Sequence, residues 1–125
     1  MSKMILCVDI DSTFTQAPSL FKKLTKDLHD TGNWEIHILT ATKNPKATEA
    51  DYAMRKQQLK DMDATYDDLM IVPAPIAANK AAYCRTVGVN FFIDNRPANI
   101  AAAAAVTNAA IFIGELDDEE KALPG

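Results

Sequence analysis

Five short apolar runs recur along this chain, separated by longer stretches with helical or polar patterning. The runs are KMILCV (3–8), EIHIL (35–39), LMIV (69–72), VNFFI (89–93) and AAIFI (109–113). Each has strand length and is bounded by polar, Gly or Pro residues, as buried strands are. Residues 19–29 place Leu20, Leu24 and Leu28 on one helical face with Phe21 beside them, opened by Pro18 and stopped near Gly32. A second helical pattern runs from about Ala47 to Met62, with Tyr52, Leu59 and Met62 apolar among many charges. Ala78 to Thr86 reads as a third helix ended by Gly88, and Pro97 opens an alanine-rich fourth reaching roughly to Val106. Pro73 and Pro75 punctuate the loop after the third run.

Apolar strands alternating with amphipathic helices indicate a parallel sheet covered on both faces. The expected fold class is therefore α/β, a doubly wound (Rossmann-like) three-layer sandwich around a five-stranded parallel sheet. At 125 residues and 48% hydrophobic, one domain is expected. Residues 1–116 would form the core domain, and 117–125 an acidic C-terminal tail.

Composition removes several function classes. A net charge of −4 argues against a general nucleic-acid binder. Glycines occur only at 32, 88, 114 and 125, which rules out both a Walker loop and a GxGxxG fingerprint. No apolar run approaches the roughly 20 residues of a membrane span, and the first apolar stretch is cut short by Asp9, unlike a signal peptide. Cys7 and Cys84 suggest buried thiols rather than a disulfide framework, so a cytoplasmic location without membrane partners is expected.

Asp9, Thr40 and Asp94 each stand at the carboxyl end of a different expected strand, with Asp11 two residues beyond the first. Lys80 lies in or near the opening turn of the helix before the fourth strand. In doubly wound sheets the ligand crevice lies beyond those strand ends, where strand order reverses. Any one such Asp is ordinarily a turn or cap residue. Together they form a constellation: aspartates from two strands suit Mg²⁺, while a hydroxyl and an ammonium suit phosphoryl oxygens.

DIDST (9–13) resembles the DxDx(T/V) first motif of the haloacid dehalogenase superfamily of phosphohydrolases. IHILT (36–40) is similar to the second motif, and Lys80 followed by NFFIDN (90–95) resembles the third and fourth. The resemblance, which spans residues 5 to 99, implies a small member without a cap domain, because both connections that carry caps are short here. It implies a Mg²⁺-dependent phosphatase in which Asp9 forms an aspartyl-phosphate and Asp11 is general acid and base. Thr40 and Lys80 would bind the phosphoryl group of a phosphorylated substrate, and Asp9, Asp11 and Asp94 would hold Mg²⁺. The absence of a cap implies either a macromolecular substrate or a homo-oligomer whose neighbouring subunit covers the site. Asn95 stands where the pattern usually carries a second acid, which implies weaker metal binding.

A receiver-like signalling domain is the main alternative, disfavoured because its phosphorylated Asp follows the third strand, which here ends in VPAP. A catalytically idle member that binds phosphate or a partner at the same edge is another. Lys43 and Arg96 follow the second and fourth strands and are candidate ligand contacts, while Trp34 and Phe91 read as core. His29 reads as a surface group near a helix end, and His37 as a strand residue facing solvent or a loop.

Overall fold

A computed structural model describes residues 2–114. Five parallel strands, β1 (Met4–Val8), β2 (Trp34–Ala41), β3 (Asp68–Val72), β4 (Phe91–Asp94) and β5 (Ala109–Phe112), form one sheet in the order β3-β2-β1-β4-β5. Four helices connect them: α1 (Pro18–Asp30), α2 (Glu49–Asp61), α3 (Ile76–Val87) and α4 (Pro97–Ala104). The expected doubly wound sandwich, without a cap, is the observed one. The anticipated acidic tail at 117–125 lies outside the described residues.

Strand order explains the layering. From β1 the chain moves outward to β2 and β3, then crosses back to β4 on the other side of β1. Right-handed crossovers place helices on one face for one direction of travel and on the opposite face for the other. Accordingly Phe21 of α1 and Leu59 of α2 pack with Leu6, Val8, Ile36 and Ile38. Cys84 of α3 and Ala103 of α4 pack with Cys7, Leu39, Val72 and Phe92 on the other face. Alternate residues of β1 and β2 thus serve opposite cores, the period of a strand buried on both sides. Cys7 and Cys84 are the buried thiols expected, and Trp34 lies against Phe91 with ring centroids 5.8 Å apart.

Local chemistry sets the element ends. Pro18 and Pro97 occupy the first turns of α1 and α4, where a missing N–H costs nothing. Thr48 opens α2 with a capping box: its hydroxyl accepts the Asp51 N–H at 3.1 Å, and Asp51 Oδ2 accepts the Thr48 N–H at 2.9 Å. Gly88 ends α3 at φ 82°, a conformation that costs glycine little. After β1 the chain makes one wide turn at Ile10–Phe14, in which the Phe14 and Thr15 N–H groups reach back to the carbonyls of Asp9 and Ile10. Ser12 takes φ 58° within it.

The reversal of direction falls between β1 and β4. The carboxyl ends of these adjacent strands are joined by the Asp9 N–H donating to the Ile93 carbonyl at 3.1 Å. Among the described residues, no helix is long and apolar enough to cross a membrane.

Candidate functional site

All five expected site residues come to the carboxyl edge of the sheet, though not as equals. Lys80, from the first turns of α3, is only 2% exposed and sits between two carboxylates. Its ammonium donates to Asp9 Oδ1 at 3.0 Å and to Asp94 Oδ2 at 2.7 Å. Burial alone would lower its pKa, but the charges of Asp9 and Asp94 outweigh that and raise it, so the ammonium form is held. For Asp9 the balance runs the other way. Burial pushes its carboxyl up to about 6, against the opposing pull of Lys80.

Asp94 is completely buried, and both of its oxygens are engaged. Oδ1 accepts the Arg96 N–H at 2.9 Å, and Oδ2 accepts Lys80 together with the Asn99 amide at 3.1 Å. It therefore anchors Lys80 from below rather than lining the open crevice. Thr40 is equally buried, and its hydroxyl has no hydrogen-bond partner among the described residues.

Asp11 differs most from expectation. Its carboxylate is gripped by the Arg55 guanidinium in a two-pronged pair, Nη1 to Oδ1 at 2.9 Å and Nη2 to Oδ2 at 2.8 Å. Arg55 also donates to Gln58 and to the Ala41 carbonyl. The hydrogen bonds from Arg55 hold the Asp11 carboxyl below its ordinary range. A general acid working near neutral pH needs the opposite shift.

Sequence reasoning did not find Arg55. A signal for it existed: it lies three residues after Tyr52 and four before Leu59, on the apolar face of α2, where an unpaired charge is not tolerated. Thr13 was also missed as a contact, and its hydroxyl donates to Asp9 Oδ2 at 3.2 Å. Asn95, oriented so that both ends of its amide are satisfied, donates to Asp9 Oδ2 and to the Asp11 carbonyl oxygen, each at 3.1 Å. His37, expected to face solvent or a loop, is instead buried at 3% exposure because its side chain turns into the α3 face of the sheet.

Above these groups opens a crevice of about 730 Å³. Asp9, Asp11, Asp51, Lys43, Arg55, Lys80 and Arg96 line it, so four basic groups face three acidic ones. Met54, Ile76 and Ala77 supply apolar wall. Lys43 and Arg96 both reach this space, as their positions after β2 and β4 suggested.

No protein-family model and no curated protein matches the sequence. Solved structures do match. A universal stress protein in complex with cAMP is 11% identical, with 93% of this chain and 100% of that chain covered and a TM-score of 0.59. A universal stress protein family protein from Arabidopsis thaliana with AMP bound is also 11% identical, covering 93% and 94% of the two chains at a TM-score of 0.55. Identities this low establish the fold alone. They nonetheless correct the family expectation, because the matched folds are universal stress proteins, a Rossmann-like fold other than that of haloacid dehalogenase-like hydrolases. With the family goes the phosphatase: the phosphoric monoester hydrolase, the aspartyl-phosphate on Asp9 and the acid–base role of Asp11 do not stand. The Arg55 clamp on Asp11 speaks against that acid–base role on chemical grounds as well.

Proposed function

We propose that this chain binds a nucleotide, with the phosphate in the crevice above Lys80 and the base against Met54, Ile76 and Ala77. The carrying observation is the crevice, which opens at the strand-order reversal where doubly wound sheets take their ligands. Its volume of about 730 Å³ lies within the range of small-ligand sites. Of its lining cations, Arg55 is paired with Asp11 and Lys80 with Asp9 and Asp94, which leaves Lys43 and Arg96 outside any ion pair among the described residues. Those two cations suit an anion. The unpartnered Thr40 hydroxyl beneath it retains hydrogen-bonding capacity for a water or a ligand oxygen. The two similar universal stress proteins were solved with cAMP and AMP, ligands of this class.

Mg²⁺ belongs to the same proposal as a companion of the phosphate. Asp9 Oδ2 and the Asp11 carbonyl oxygen converge on the Asn95 amide nitrogen, 3.1 Å from each. A cation displacing that amide would meet two protein oxygens and take its remaining ligands from water and phosphate, the usual habit of Mg²⁺. Asp94 would not ligate it, being engaged by Lys80, Asn99 and the Arg96 N–H.

Calorimetric titration with AMP, cAMP, inorganic phosphate and adenosine tests the reading. AMP and cAMP should bind one to one and more tightly than adenosine. Arg96→Ala and Lys43→Ala should each weaken AMP by about 10–100-fold, the worth of a charge-assisted hydrogen bond, and leave the melting temperature unchanged. Adenosine binding as tightly as AMP, or no saturable binding of any nucleotide, would overturn it.

A further inference from the structure

A second cluster lies on the α3/α4 face of the sheet, away from the crevice. Glu35 and His37 are two residues apart on β2 and so share that face, and Asp68 of β3 is the register partner of His37. One ligand-type atom from each lies within 4.8 Å of the others. His37 Nε2 is 3.0 Å from Glu35 Oε1 and 3.6 Å from Asp68 Oδ2.

We propose that Glu35, His37 and Asp68 form a zinc(II) site that clips β2 to β3. The distances suit the ion. Four ligands held tetrahedrally at about 2.0–2.1 Å stand about 3.3–3.4 Å from one another, and the two observed separations, 3.0 and 3.6 Å, bracket that value. The donor set, one imidazole nitrogen and two carboxylates, is one that Zn²⁺ accepts.

The surroundings of His37 supply an independent observation. Its side chain is 4% exposed, and its second nitrogen, Nδ1, lies 2.6 Å from the Tyr83 hydroxyl of α3. A ligating histidine ordinarily gives its other N–H to such a partner, which fixes the ring and aims the free nitrogen at the metal. In the tautomer whose Nδ1–H donates to Tyr83 Oη, the Nε2 lone pair faces both carboxylates and is free to ligate. The same distances also suit the other tautomer, in which Tyr83 O–H donates to Nδ1 and Nε2–H to Glu35, so zinc would have to displace that Nε2 proton. Glu35 and Asp68, with side chains 39% and 61% exposed, leave the outer side open for water to complete the shell.

The rival occupant of this position is a proton on Nε2, donated to Glu35. Equilibrium dialysis of the metal-stripped full chain against Zn²⁺ at neutral pH separates the two. One zinc per chain is expected in the micromolar range, with Co²⁺ giving the visible absorption of a four-coordinate site. Glu35→Gln and Asp68→Asn, both at accessible side chains, should each weaken zinc by at least tenfold, and His37→Gln should abolish binding at this stoichiometry. Tyr83→Phe should lower affinity by about 10–100-fold, as loss of an outer partner does. Nucleotide affinity at the distant crevice should not change in any of the four. Absence of saturable zinc binding, or binding that Glu35→Gln and Asp68→Asn leave intact, would overturn the site even if His37→Gln fails to fold.

Discussion

Lys80 holds a charge-sensitive position, since its ammonium bridges two buried carboxylates at 3.0 and 2.7 Å. Replacing it with methionine would keep the bulk of the stem but leave Asp9 and Asp94 facing each other unpaired. Breaking a buried pair in this way costs about 3–5 kcal/mol, so Lys80→Met should lower the urea midpoint sharply at pH 7.5. The deficit should shrink at acid pH. Asp9 already has a folded-state pKa raised to about 6, above its ordinary value, so its favourable contribution is complete below the unfolded pKa and is lost as pH rises through the folded one. Without Lys80 that folded value climbs further, and protonation relieves the repulsion earlier. A deficit that stays constant from pH 7.5 to pH 5 would show that charge is not its cause. Asp9, Thr40, Lys80 and Asp94 were legible in the sequence as one edge, because strand ends fix where side chains emerge. Their division of labour was not, because whether an aspartate lines a crevice or supports a lysine depends on depth, which no spacing reveals.

At the scale of elements, the Asp11–Arg55 pair ties the turn after β1 to α2, two segments that share no strand pairing. Arg55→Met should therefore loosen the Ile10–Phe14 turn while leaving α2 capped by Thr48. Amide hydrogen exchange should report faster opening at Ser12 to Thr15 and unchanged protection in α2. The carboxyl of Asp11 is lowered by Arg55, so this tie contributes above the unfolded carboxylate pKa and is lost as pH falls through the folded value. The exchange difference between parent and variant should then narrow toward pH 3. Unchanged exchange in the turn at pH 7 would mean that the pair is a surface contact without consequence, as many exposed ion pairs are. The five strands and four helices could be read from periodicity, with ends off by a few residues. The turn at Ile10–Phe14 could not, because its Asp9 and Ile10 carbonyl bonds and the left-handed Ser12 follow no hydrophobic period. Arg55 was obscured for a related reason: α2 is so rich in charge that one arginine on its inner face does not stand out.

Taken as a whole, the chain carries net charge −4 yet brings Lys43 and Arg96, neither in an ion pair among the described residues, to the edge where the direction of winding reverses. Alternation of strands and helices predicted that such an edge exists, whereas the order β3-β2-β1-β4-β5 depends on long-range pairing that local patterns do not encode. The same edge holds Asp9, a carboxylate that ionises at about 6 and so removes positive potential near neutral pH. An anion bound beside it should favour the protonated form, and by linkage the anion should bind more tightly as pH falls. A phosphodiester such as cAMP is the cleanest probe, since it keeps one negative charge throughout and any pH dependence belongs to the protein. In buffer without Mg²⁺, where Asp9 holds no metal cation, its affinity should rise between pH 7.5 and 5.5, by no more than about tenfold per pH unit for one coupled proton. Asp9→Asn should bind cAMP more tightly at pH 7.5 and show little change across the same range. Parallel calorimetry on parent and variant checks this. A parent affinity that is flat with pH would place the phosphate out of reach of Asp9, nearer Lys43 and Arg96 at the rim of the crevice. A variant that keeps the full pH dependence would assign the titration to another group.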